Sequence, residues 1–404
     1  MNKFKKNHLL GASFNRSRKL HLILLVFLTV TGSVFSQKNR SFEEFVDEDC
    51  KCYNRKKEGF TSKVDAHCHF RPFGGRVIPF TELVSYFQRS GVLFVNAYGI
   101  GQTLPSNDTC TYYLDCPGTP VTPSLRNDFV NAANYLEYKG KDKGKPDDPF
   151  EGEGRINLVL SMTFPDLAHP ERVTEYIQLL DDEYPGVFSW MGEVNLVKQA
   201  LLENGHEVST LESIKLWAPF MDTIRRRNVP ICIHSDIGSN DSLTEFLYLM
   251  EEVLNRYNDN KIVWAHMGLS KELSKMPAEQ HIGILSNLLD KHENLTLDLS
   301  WDVLWDSVFV NDIARAKYVE FIDAYPTRFI TGTDFVASRE AKCYKTYKDA
   351  LVKTSYINRD MSDEAFRNIA LGENYFKLLN LDYTAPQICE KKGRSKKKQK
   401  VVKE

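Results

Sequence analysis

Six side chains able to bind a divalent metal lie near the C-terminal ends of predicted strands: His67 and His69 in VDAHCHF, Glu193 in FSWMGEVN, His234 in VPICIHSD, His266 in KIVWAHMG and Asp334 in RFITGTDF. A single histidine at a strand end is more often a hydrogen-bonded structural residue, but six such groups in one chain spell a metal site. Successive strand side chains point to opposite faces, so His67 and His69 project to one side and Ala66 and Cys68 to the other. Two imidazoles can then share one ion. Imidazole and carboxylate ligands suit zinc first, with manganese, iron, cobalt and nickel as alternatives.

The spacing says what must position these groups. Glu193, His234, His266 and Asp334 follow one another at 41, 32 and 68 residues, and a strand-plus-helix repeat takes roughly 30 residues. The last gap therefore reads as two repeats, which places the ligands on strands one, four, five, six and eight. Apolar runs at VDAHCHF, GVLFVNAYG, RINLVLSMTF, VFSWMGEVN, VPICIHSD, KIVWAHMG, LTLDLS and RFITGTD supply the eight strands. SIKLWAPFMDTIRRRN, SLTEFLYLMEEVLNRY and IGILSNLLDKH repeat apolar residues at three and four positions, as helices do. Apolar strands alternating with amphipathic helices predict an α/β fold, a parallel sheet closed into a (β/α)8 TIM barrel. In that fold catalytic groups come from the C-terminal ends of several strands.

These motifs resemble the metal-dependent amidohydrolase superfamily, and IHSD, WAHMG and ITGTDF resemble its amidohydrolase-related branch. The closing segment IALGENYFKLLNLD is similar to the family's last helix, although Glu373 separates Gly372 from Asn374, a departure from the usual Gly-Asn pair. The resemblance spans about Val64 to Leu381. It implies that His67, His69 and Asp334 hold one ion, His234 and His266 a second, and that Glu193 bridges them. Family members differ at strand four, so an alternative stays open. If Glu193 lies outside the shell, one ion rests on His67, His69, His234 and Asp334, and His266 acts as an acid or base.

Hydrolysis follows from the two-ion arrangement. A bound ion lowers the pKa of its water to about 7, and Asp334 would take the water proton and pass it to the leaving group. The expected substrates are small molecules with an amide, ester, lactone or phosphoester bond. Two other readings remain: a one-metal decarboxylase or lyase of a carboxylic acid, and a noncatalytic exported binding protein. The lyase would need a cationic pocket, with Arg71 and Arg339 as candidates. Arg71, Asn195, Lys198, Trp301 and Arg339 follow strand ends and are candidates for substrate binding. Asp298 and Asp302 flank LSW at strand seven, and Asp302 reads equally as a helix cap. His169, His206, His281 and His292 are expected to be structural or superficial.

The rest of the chain sets the surroundings. The 404 residues are 42% hydrophobic and 26% charged, an ordinary globular composition with no nucleic-acid signature. Residues 1–36 carry six Lys or Arg, no acid and an apolar run from Leu22 to Val34, which reads as a secretory signal peptide and an exported, periplasmic or secreted protein. Membrane contact is expected only if that segment stays uncleaved. Residues 37–63 form an extension, 64–390 the barrel and 391–404 a basic tail with eight Lys or Arg. Between Gln37 and Glu390 remain 38 basic and 53 acidic residues, so the body is acidic, near −15. Eight cysteines in an exported chain invite disulfides whose pairing the count cannot give. Cys110 and Cys116 could close one loop. Cys68 and Cys232 are expected to be buried thiols facing the outer helices. The segment Gly101–Gly154 after strand two exceeds the usual connection and is expected to be a long insertion whose first part shapes the pocket.

Overall fold

The computed structural model describes Phe45, Cys116 and residues 52–104, 118–119, 122–141 and 156–390. The chain divides at Gln37 into two units, and every described residue belongs to the second. The signal-peptide, basic-tail and Cys110 readings fall outside the described residues, as does much of the insertion after strand two. Among the described residues no helix is long and apolar enough to cross a membrane.

Among the described residues eight strands, as the apolar runs predict, alternate with eight helices. The strands are β1 (Val64–His69), β2 (Phe94–Tyr98), β3 (Asn157–Met162), β4 (Phe188–Val197), β5 (Ile231–Ser235), β6 (Ile262–Trp264), β7 (Leu295–Asp298) and a last strand in two pieces, β8 (Phe329–Ile330) and β9 (Phe335–Val336). The helices that follow them are α1 (Phe80–Ser90), α2 (Arg126–Lys141), α3 (Val173–Glu183), α4 (Ala218–Arg226), α5 (Leu247–Arg256), α6 (Ala278–Lys291), α7 (Asp312–Ala324) and α8 (Tyr344–Thr354). All the pairs within this sheet are parallel, in the order β8-β7-β6-β5-β4-β3-β2-β1-β9.

The divided last strand closes the barrel. β8 lies beside β7 and β9 beside β1, while between them Thr331 O accepts from Ala66 N at 2.9 Å and Asp334 N donates to His67 O at 2.7 Å. Gly332 permits this approach, since a Cβ there would lie 2.6 Å from the Cβ of His67. Asp65 fixes the join by accepting from Thr333 N and Thr333 Oγ1, both at 2.8 Å.

The helices form where apolar residues return every three or four positions. α5 buries Leu249, Met250, Val253 and Leu254, and α6 buries Leu285, Leu288 and Leu289 against the sheet, each such side chain contributing about 2 kcal/mol. The predicted helix over SIKLWAPFMDTIRRRN is two helices, Leu211–Lys215 and α4, because Pro219 stands in the first turn of α4 and brings no N–H to a longer one. The segment after β2 also differs from a plain insertion. A small antiparallel pair, Gln102–Thr103 with Thr122–Pro123, leads into α2, the second barrel helix. Its sequence RNDFVNAANYLEYKGK is too polar to show a clear apolar stripe.

The barrel interior holds Tyr98, Val159, Trp190, Cys232, Val263, Ala265 and Ile330, in one cluster with Tyr375 and Phe376 from α10 (Glu373–Leu379), the helix that follows α9 (Asp363–Ile369). Asn374, from the closing motif, donates to Pro326 O and Phe329 O at 2.9 and 2.8 Å and so ties α10 to the start of β8. At the same end of the barrel Cys52 is disulfide-bonded to Cys389, 337 residues away, and Tyr53 bridges Ile388. Cys116 is also disulfide-bonded.

Candidate metal centre

All six predicted ligands converge at the C-terminal end of the barrel. The groups His67, His69, Glu193 and Asp334, and Glu193, His234 and His266, each offer ligand atoms within 4.8 Å of one another. Glu193 belongs to both. Its Oε2 lies 3.1 Å from His69 Nε2 and 3.4 Å from His67 Nε2, and its Oε1 lies 2.6 Å from His234 Nδ1. Asp334 Oδ1 is 3.2 Å from His69 Nε2 and 3.5 Å from His67 Nε2, and Oδ2 is 3.9 Å from His266 Nε2.

Each imidazole is tethered by its other nitrogen. His67 Nδ1 donates to Asp298 Oδ2 at 2.7 Å, His69 Nδ1 to Gly99 O at 2.7 Å, His234 Nε2 to Asp236 Oδ1 at 3.0 Å and His266 Nδ1 to Ser300 O at 3.3 Å. Metal-ligating histidines characteristically give one N–H to a carboxylate or carbonyl, which orients the ring and frees the second nitrogen. His67 Nε2 is buried and has no hydrogen-bond partner. A buried nitrogen left unpaired at that cost, facing two carboxylates, fits a site for a cation. The donor set passes the test for a divalent ion.

The electrostatics agree. Burial opposes charge on His67, His69 and His234, yet carboxylates outweigh it and raise all three above the ordinary histidine range: Asp298 chiefly for His67, Asp334 and Glu193 for His69, Glu193 and Asp236 for His234. Burial would raise Glu193 and Asp334, but Lys198 and His234 pull Glu193 well down, and His69, His67 and His266 pull Asp334 well down. Both stay ionised. Burial takes His266 down to about 4, so it is neutral at physiological pH.

The backbone is bent into unusual shapes to make these placements. His266, Trp301 and Asp334 all have positive φ, at 53°, 80° and 53°, a region that non-glycine residues seldom adopt and that concentrates at functional sites. Glu193 follows Gly192, whose φ is +100° and where a Cβ would stand 2.1 Å from Cys232 O. Only glycine lets β4 approach β5 this closely.

Two clefts open on the cluster. One, about 220 Å³, is lined by His69, Phe73, Thr163, Glu193, Asn195 and Lys198, with His169 and His206 at its side. The other, about 120 Å³, is lined by His234, His266, Trp301, Asp334, Lys271 and Lys342. Asn195 thus lines the first cleft and Trp301 the second. Arg71 lines neither cleft and donates instead to Asn127 Oδ1 at 3.2 Å. Arg339 lines neither and holds both oxygens of Glu82 at 2.8 and 2.6 Å on the outer surface. Lys198 Nζ donates to Glu193 Oε1 at 2.9 Å. His206, expected to be structural or superficial, accepts from Lys198 N at 3.3 Å because the loop after β4 turns back over the mouth. His281 is structural, held by Tyr318 and Met267.

One expectation is overturned. Cys68 packs outward in a cluster with Val84 and Phe87, but Cys232 faces the barrel interior beside His67 and Asp298. Cys232 and His234 are two apart on β5, so alternation puts them on one face. Burial pushes the Cys232 thiol up to about 11, so without a metal it stays protonated beside His67 and Asp298. Sequence reasoning missed the tethers Asp236 and Ser300, whose signal was their position two residues beyond His234 and Asp298.

No family model and no curated protein matches the sequence. Solved structures similar to this one include dihydroorotase from Saccharomyces cerevisiae in complex with 5-fluoroorotic acid, at TM-score 0.49 and 11% identity over 80% of this chain and 85% of that one. Dihydroorotase from Campylobacter jejuni is similar at TM-score 0.45 and 14% identity, over 80% and 84%. An amidohydrolase from Burkholderia multivorans with bound zinc is similar at TM-score 0.44 and 13% identity, over 78% and 98%.

Proposed function

We propose that this chain is an exported amidohydrolase-like, metal-dependent hydrolase acting on an amide, ester, lactone or phosphoester. The observation that carries the reading is the set of four tethered histidines, His67, His69, His234 and His266, each turning its second nitrogen toward Glu193 or Asp334. In this reading His67, His69 and Asp334 hold one ion, His234 and His266 the other, and Glu193 stands between them. Zinc suits these nitrogen and oxygen donors best. Bound there, a divalent ion supplies acidified water and polarises the scissile oxygen.

The remaining work belongs to side chains. Asp334 is ionised, borders the second cleft and faces His266 at 3.9 Å, so it accepts the proton of the attacking water and returns it to the leaving group. Lys198 holds Glu193 from the other side and keeps its carboxylate charged. Phe73 and Trp301 wall the clefts and limit the water that reaches the reacting bond. Arg71 and Arg339, the candidates for a lyase's cationic pocket, line neither cleft; the cations that do are Lys198, Lys271 and Lys342.

The test is elemental mass spectrometry on the purified chain, with a hydrolysis screen over the four bond classes before and after chelation. Two divalent equivalents and a chelation-sensitive hydrolysis would support the proposal. A chain that takes up no divalent metal when zinc is offered would sink it.

A further inference from the structure

The two clefts share Phe73 and Lys198, which stand between them; Lys198 Nζ lies 5.6 Å from the centre of the Phe73 ring. The chambers differ in chemistry. The larger offers mixed polar groups from Thr163, Asp166, Asn195, His206 and Glu207. The smaller adds two lysines, Lys271 and Lys342, next to Trp301.

Lys342 is the unusual one. It lies on the loop between β9 and α8, half-buried, in the wall that also holds Asp334 and His266. Among the described residues no carboxylate comes within ion-pair distance of its Nζ, which lies over the Phe335 ring, 5.0 Å from its centre. Burial lowers its pKa, and Asp334 and Asp302 support its charge only from farther off. The other acids of this chamber are engaged or on the rim. Asp236 is held by His234 and Gln199, Asp302 faces Lys353 at 3.9 Å, and Glu272 stands at the edge. Lys271 is exposed at the rim with Nζ 6.0 Å from the centre of the Trp301 ring.

A partly buried ammonium without a counter-ion costs free energy unless something negative joins it. Its place in the wall of a cleft, not in the core, leaves room for that partner to come from solution. Resting on the hydrolase reading above, we propose that the smaller chamber is a subsite for an anionic group of the substrate, a carboxylate held by Lys342 and, at the rim, by Lys271, with the flat part of the substrate against Trp301. The scissile bond would then lie over the six ligands, and the uncharged polar remainder would occupy the larger chamber past Phe73.

The experiment is isothermal titration of the metal-loaded full chain with succinate, glutarate and adipate, each against butyrate, valerate and hexanoate of matching length. One carboxylate can meet the metals in both series, so the comparison isolates the second. The expected result is at least a tenfold tighter binding of one dicarboxylate than of its partner, lost in Lys342→Met and retained in part in Lys342→Arg, with metal content unchanged. Lys271→Met, at an exposed position that tolerates change, should cost a few-fold and covers the case in which Lys342→Met fails to fold. No dicarboxylate preference in the wild type, or a preference that survives both methionine variants, would overturn the subsite. Metal content and the bond-class screen are read separately, so a failed hydrolase assignment is distinguishable from a failed anion subsite.

Discussion

Asp298 and His67 meet at 2.7 Å beneath the candidate metal centre, and the same carboxylate accepts from Ser300 N at 2.8 Å and from Ser300 Oγ at 2.6 Å. The buried acid of β7 therefore has no freedom to turn away. It fixes one ring on β1 and, through Ser300, the loop that faces His266.

Replacing Asp298 with asparagine should weaken metal binding about 10- to 100-fold, because the ring of His67 loses both its orientation and its basicity. Competition with a chromogenic chelator reads this directly. Cys232→Ala, which removes a neighbour that stays protonated, should leave the affinity within about twofold. Equal losses in the two variants would mean that packing around His67, and not the Asp298 hydrogen bond, controls the site.

Glu193→Gln should lower the metal content from two equivalents to about one, since the amide keeps the shape but not the charge that both groups of ligands share. Elemental analysis after dialysis is the readout. An unchanged content would place Glu193 outside the metal shell and favour the single-ion arrangement.

His281 is fully buried in α6, where Tyr318 Oη donates to its Nδ1 at 2.6 Å and its Nε2 donates to Met267 O at 2.9 Å. Burial lowers its pKa to about 4. A histidine with a folded pKa below the unfolded one costs nothing above pH 6.5, then destabilises the fold progressively as pH falls toward 4. The cost reaches about 3 kcal/mol by pH 4, from 1.36 kcal/mol per unit. His281→Gln should flatten the loss of stability between pH 6.5 and 4.5 in urea unfolding. A slope identical to the wild type would mean that His281 does not contribute.

Two glycine substitutions should diverge. Gly283, in α6, has open space where a Cβ would go, so Gly283→Ala should stabilise by about 0.5–1 kcal/mol. Gly192→Ala drives a Cβ to 2.1 Å from Cys232 O at a φ of +100°. It should destabilise by more than that and displace Glu193. Thermal unfolding and metal content separate the two. A Gly192→Ala protein with full metal and an unchanged melting temperature would show that β4 has slack beside β5.

The fold was largely legible because its signals are local. Each strand is an apolar run, and six of the chemical groups sit at predictable ends of those runs. α2 was hidden by its polar composition, and the break before α4 by reading past Pro219. Cys232 was misassigned by parity, although its spacing from His234 contained the answer. What stayed invisible depends on distant chain segments meeting. Asp298 reaches His67 across 231 residues, Lys342 enters a cleft built from β6 and β7 loops, and Cys52 finds Cys389. No pattern of neighbours along the chain encodes such encounters.

The bond between Cys52 and Cys389 makes nearly the whole barrel a covalent ring. A protease cut anywhere among the intervening residues, including the long connection after β2, opens that ring without releasing a fragment. Such a molecule would run as one species on a non-reducing gel and as two once reduced. Its eight strands could stay assembled around the metal ligands, so survival of the chain and survival of the site become separate questions.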